Sequence, residues 1–167
     1  MRIAFWTFLS SFVLLEAVCQ PDFSESETSA IYIAALRGER RQSPPREAAL
    51  NRHLMSDAGN YTPSGLIPES VVDRLRAQGL FSELCGEGPS EGAGPRCISQ
   101  HARTELRLSR PIPRDSNTVD VYIGGGSIRP VNDTTTVFFS VGGAIRCRVV
   151  REQSRWVRRS CKQTMII

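Results

Sequence analysis

His101 is the residue of this chain best suited to exchange a proton at neutral pH, and Asp73, Glu83 and Asp120 are the carboxylates a fold could bring to it. A second set, Tyr122 with Asp120 and Arg107, has the types needed for proton transfer or ligand orientation in a sheet-lined pocket. A serine or cysteine hydrolase lacks its parts, because no GxSxG occurs and the cysteines are better used elsewhere. Gly124-Gly125-Gly126 is not followed by a GK[ST] signature or a helix start, so it reads as a turn and not as a phosphate cradle. Each candidate also has a plain structural role, His101 as a surface residue before a strand and Tyr122 as a packing residue with its hydroxyl at the sheet edge.

The other chemically distinctive stretch is RCRVVREQSRWVRRSCKQ, Arg146 to Gln163. A turn over residues 153–155 makes it a hairpin in which Cys147 lies opposite Cys161, Val149 opposite Arg159 and Arg151 opposite Val157. One face then carries Arg146, Arg148, Trp156, Arg158 and Lys162, four cations beside an aromatic. Arginines clamp phosphate or sulfate and tryptophan stacks on a base or sugar, so this face is a candidate polyanion-binding strip. The competing expectation, and the preferred one, is a solvated face whose tryptophan packs beneath arginine stems.

The N-terminus bears on the compartment. Met1-Arg2 precedes the apolar run IAFWTFLSSFVLL, and small residues at Ala17 and Cys19 suit a cleavage site, the pattern of a signal peptide over residues 1–19. The run is short of the ~20 residues a membrane-spanning helix needs, and no further run of that length follows. Lipid modification at Cys19 fits less well, because Glu16 and Val18 depart from a lipoprotein signal. A single α+β domain is expected over residues 20–167, periplasmic or extracellular.

Export gives the remaining cysteines a meaning. Cys85, Cys97, Cys147 and Cys161 are an even set in an oxidising compartment, so two disulfides are expected. Four cysteines allow three connectivities; local loops Cys85 to Cys97 and Cys147 to Cys161 suggest themselves. A zinc site would favour close CxxC pairs or neighbouring histidines, and His53 and His101 are the only histidines. No metal and no cofactor is implied. The net charge is +4, and Lys162 is the single lysine, so the positive charge is nearly all arginine. That balance permits attraction to polyanions without demonstrating it.

The elements that must position these residues follow from periodicity. Helical spacing is read over Ser29 to Leu36, over EAALNRHLM from Glu47 to Met55 with Leu50 and Leu54 one turn apart, and after Pro68 with Val71, Val72 and Leu75 buried and Gly79 as cap. Residues 37–46 with Pro44-Pro45 read as a linker, 57–65 as a loop, and the glycine- and proline-rich run from Gly86 to Pro95 as irregular. Alternation then predicts strands around Leu106 to Leu108, Val119 to Ile123, Thr134 to Val141, Ile145 to Arg151 and Trp156 to Thr164. Asn60 and Asn132 head glycosylation sequons.

The lines IPESVVDRLRAQGLF, TELRLSRPI, TVDVYIG and IRCRVVREQSRWV resemble small exported bacterial proteins of uncharacterised function. The last strands resemble the nuclear transport factor 2-like, or cystatin-like, cone fold. The resemblance implies a curved antiparallel sheet wrapped on helices, sometimes with a pocket. The expected fold is therefore α+β, with two or three N-terminal helices on a curved antiparallel sheet of about four to five strands. The expected function is an exported, disulfide-stabilised binding or accessory domain without catalysis, its partner a small molecule or a polyanion if either. A small-molecule isomerase or hydrolase using His101 or Tyr122, and a polyanion binder using the last hairpin, are the alternatives.

Overall fold

In a computed structural model of the chain, the described residues are 23–37, 48–56, 64–90, 95–128 and 144–164. The signal-peptide region, most of the linker, both sequons and the expected strand at Thr134 to Val141 lie outside them.

Helix α1 spans Glu25–Leu36. Ser24 caps it, its hydroxyl accepting the Glu27 backbone N–H at 3.2 Å, so the SESE lead starts the helix four residues before the apolar spacing does. Strand β1, Ala48–Leu50, follows, and then helix α2, Glu69–Ala77. Pro68 precedes the first turn of α2, and Gly79 ends the helix at φ +63°. The Gly79 N–H donates to the Arg76 carbonyl and the Leu80 N–H to the Leu75 carbonyl, the paired bonds of a glycine-terminated helix end.

The strands after α2 are β2 (Glu83–Leu84), β3 (Gly86–Ser90), β4 (Pro95–Ile98), β5 (Thr104–Leu108), β6 (Ile112–Asp115), β7 (Thr118–Gly124), β8 (Ala144–Glu152) and β9 (Arg155–Thr164). With β1, six of these strands form one seven-stranded sheet in the order β2-β1-β5-β7-β8-β9, with β6 also pairing β7; β3 and β4 form a separate two-stranded sheet. β1 runs parallel to both β2 and β5, and the remaining pairs are antiparallel.

This corrects the expected fold in three respects. The sheet is mixed and larger than four to five antiparallel strands. A strand separates the two described helices, so the helices are not an N-terminal block. The segment expected as a second helix contains β1: Ala48, Ala49 and Leu50 are all fully buried between two parallel neighbours, a setting that favours a continuous apolar run and overrides helical spacing. The run expected to be irregular likewise contains the β3–β4 pair, with Glu87 opposite Cys97. Among the described residues β6 pairs with β7 alone, an edge position that accommodates Pro113.

The core lies between the helices and one face of the sheet. Ile31, Tyr32 and Leu36 of α1 and Val71, Val72 and Leu75 of α2 meet Leu106, Leu108, Val119, Val121, Cys147 and Val149. The Tyr32 hydroxyl donates to the Ser109 carbonyl at 2.9 Å, tying α1 to the end of β5, and burial pushes that hydroxyl's pKa up. Gly125 passes so close to β5 that a side-chain carbon there would overlap the Glu105 carbonyl oxygen.

Both disulfides form, Cys85 with Cys97 and Cys147 with Cys161. They fit an oxidising compartment, and among the described residues no helix is long and apolar enough to cross a membrane.

Candidate functional site

Strand alternation puts the expected pocket residues on the face of the sheet away from the helices. Tyr122 and Asp120 alternate with the core residues Val119 and Val121, and Arg107 alternates with Leu106 and Leu108. The Asp120 carboxylate is fully buried and accepts from Arg114 Nε at 2.7 Å and Arg148 Nε at 3.1 Å. Burial alone would raise its pKa, but the bonds and charges of Arg148 and Arg114 outweigh this and hold the carboxyl below its usual range. Arg107 is committed in a similar way. Its Nε donates to Glu105 Oε1 at 2.7 Å, and Asn51 Nδ2 donates to the same oxygen at 2.6 Å.

His101 is exposed, and its contact with a carboxylate runs through the backbone. Glu83 accepts the backbone N–H groups of Gln100, His101 and Ala102 and the Ser99 hydroxyl. Partial burial raises the Glu83 pKa, but these four donors together lower it to about 2. Glu83 therefore closes the 99–102 turn as a fixed anion. Among the described residues neither the His101 ring nor the Tyr122 hydroxyl is hydrogen-bonded to an acid, so the acid–base constellation weighed from the sequence is not assembled there. The Cys85 and Cys97 sulfurs lie within 4.8 Å of a Glu105 carboxylate oxygen, yet both sulfurs are used by the disulfide and that carboxylate already serves Asn51 and Arg107.

The basic hairpin has a different register from the one expected. Its turn is two residues, Gln153 and Ser154, both at positive φ (45° and 70°), and Glu152 pairs Arg155. Arg151 therefore faces Trp156 and Val149 faces Arg158, not Val157 and Arg159. A bulge then inserts Arg159, after which Arg148 pairs Ser160 and Cys147 pairs Cys161 as expected. The bulge divides the expected strip between two faces. Trp156 and Arg158 share the helix side with Cys147 and Cys161, whereas Arg146, Arg148 and Lys162 lie on the other side.

Trp156 is held in place on the helix side. Phe23 meets it edge to face with centroids 6.1 Å apart, and the Arg151 guanidinium lies 5.1 Å from its ring centre while also pairing Glu27. Arg158 Nη1 donates to the Ala35 carbonyl at 3.2 Å, placing a cation on the C-terminal turn of α1.

An open groove of about 850 Å³ runs along this boundary, and sequence reasoning did not anticipate it. Ala30, Ile33 and Ala34 of α1 and its C-cap Arg37 line one wall, and residues 154–161 line the other without a gap. Consecutive strand residues point to alternate faces, so an unbroken run can border a cavity only along the strand's edge. β9 is that edge, the last strand of the sheet, paired to β8 alone among the described residues. The sequence signal that could have exposed the groove is the α1 stripe Ala30, Ile33 and Arg37, which remains at least partly open while Ile31, Tyr32, Ala34, Ala35 and Leu36 are buried.

Comparison with protein-family models, with characterised proteins and with solved structures returns no match for this chain.

Proposed function

We propose that the chain is an exported, disulfide-stapled binding domain whose working surface is the groove between α1 and β9. One observation carries the reading: an open helix stripe lies beside a strand edge that has no partner among the described residues, and together they border a cavity large enough for a ligand. The rest of the fold supports that surface. Cys147–Cys161 staples β9 to β8, Arg158 fastens β9 to the end of α1, and Phe23, Trp156 and Arg151 close one end of the layer. The groove walls combine arginines, small aliphatic side chains, Trp156, two serines and the disulfide-bonded Cys161, a set that suits recognition better than bond-making.

Selection from a random peptide library against the oxidised protein tests this. Ligands that enrich on the wild type and are lost on an Ala30→Trp variant, whose indole fills the groove, are expected. Absence of enrichment, or ligands indifferent to Ala30→Trp in a variant with unchanged circular dichroism, would refute it.

A further inference from the structure

Resting on that reading of the groove, we infer that its ligand is an extended, acidic polypeptide segment that adds to β9 as a further strand. The first support is the direction of the backbone groups. Arg151 donates its N–H to the Asn117 carbonyl at 2.7 Å, on the side away from β9. The Tyr122 N–H donates to the Ser109 hydroxyl and its C=O accepts the Ser109 N–H, so both groups point away from β8, the Tyr122–Arg146 pair lacks hydrogen bonds, and Arg146 turns its own groups toward Lys162. Alternation from these two fixed points leaves Trp156, Arg158 and Cys161 in non-hydrogen-bonded pairs with β8. The Cα separation of 4.1 Å between Cys147 and Cys161 matches the closer spacing of such pairs. The N–H and C=O groups of these three β9 residues therefore point out of the sheet into the groove, and among the described residues no backbone group meets them.

Charge identifies the occupant. Arg155 and Arg159 flank the edge on its solvent side, Arg37 and Arg158 stand at the C-terminal end of α1, and no acidic residue is among the described groove walls. Arg159 is shared with Glu152, whereas Arg155 has no acidic partner among the described residues. A second copy of this chain pairing edge to edge would set arginines against arginines, which like-charge repulsion disfavours. An acidic strand reverses the sign of that interaction. The Ala30 and Ile33 stripe accepts small aliphatic side chains, so the fitting sequence alternates: aliphatic residues toward α1, carboxylates toward Arg155 and Arg159.

Hydrogen exchange followed by NMR on the oxidised full chain tests this, using a short blocked peptide of alternating glutamate and valine, with a lysine–valine peptide as control. Expected are fast amide exchange at Trp156, Arg158 and Cys161 in the free protein and a slowing of at least about tenfold with the glutamate peptide. Arg155→Glu should weaken binding by about tenfold, and the lysine peptide should not bind. Three results would overturn the inference: protection of these amides in the free protein, with dilution telling a second copy from the chain's own segment; no binding of the glutamate peptide; or binding that leaves these amides unchanged. Library ligands that require the groove but are neutral or helical would also overturn strand addition while leaving the groove as the working surface. Absence of any groove-dependent library ligand would instead remove the underlying reading.

Discussion

The backbone N–H of His101 points at the carboxylate of Glu83, 3.1 Å away, while the His101 ring stands exposed. This reverses the roles the residue types invite: the histidine supplies a peptide dipole and the glutamate supplies fixed charge. Burial acts to raise the Glu83 pKa, but its hydrogen bonds bring it from the ordinary 4.5 to about 2. A depressed carboxylate pKa contributes stability that is fully present above the unfolded value and is lost as pH falls through the folded one. Stability should therefore decline between about pH 4.5 and pH 2 through this group. Glu83→Gln should flatten that part of the acid limb and cost on the order of 1 kcal/mol at pH 7, a figure kept small by solvent screening of a half-open carboxylate. Urea titrations of both proteins across that pH range check it.

Asp120 presents the opposite exposure. Its side chain is fully buried while its partners Arg114 and Arg148 are each nearly half exposed, so the arginines can return to water and the aspartate cannot. Removing one arginine leaves the other to neutralise the carboxylate. Removing both in an Arg114→Met, Arg148→Met double variant strands a buried charge. The double variant should lose on the order of 3 kcal/mol, more than the sum of the two single losses. Chemical denaturation of the four proteins closes the cycle, and an additive result would show that Asp120 does not depend on the pair.

Residue order made several local elements legible but not the sheet they build, and the parts that could not be read share a physical cause. The two cysteine loops, α2 with its terminal Gly79, and the alternation of β5, β7, β8 and β9 are local patterns and were legible. β1 was not, because AAL becomes a strand only when β2 and β5 are present on both sides of it. The β3–β4 pair hides in a glycine- and proline-rich run that advertises a loop. The bulge at Arg159 shifts the pairing by one residue and leaves no mark in the sequence, yet it moves Trp156 and Arg158 to the helix side and divides the expected basic strip. The groove depends on an edge that becomes visible only once the strand order is known.

The Cys147–Cys161 bridge closes a loop with a sequence separation of 14 and joins the edge strand to its only described partner. Loop-closure entropy gives such a bridge about 3 kcal/mol. Cys147→Ala with Cys161→Ala should lower stability by about that amount and should raise amide exchange in β9 more than in β7, which keeps neighbours on both sides. Denaturation monitored with hydrogen exchange checks both parts. Equal loosening of β7 and β9 would show that the bridge acts on the whole sheet and not on its edge.

The hairpin turn is strained by its own residues. Gln153 and Ser154 both adopt positive φ, 45° and 70°, where a side chain other than Asn or Asp is disfavoured and Gly is free. A two-residue turn of this kind prefers Asn-Gly. Gln153→Asn with Ser154→Gly should therefore stabilise the protein by about 1 kcal/mol, which thermal unfolding at fixed protein concentration would read as a rise in Tm. Ser154→Pro should do the reverse, because proline's ring fixes φ near −65° and cannot reach the left-handed region. A neutral effect from the Asn-Gly pair would mean that the turn does not hold the two-residue geometry on which the Arg151–Trp156 register, and with it the outward direction of the Trp156 backbone, depends.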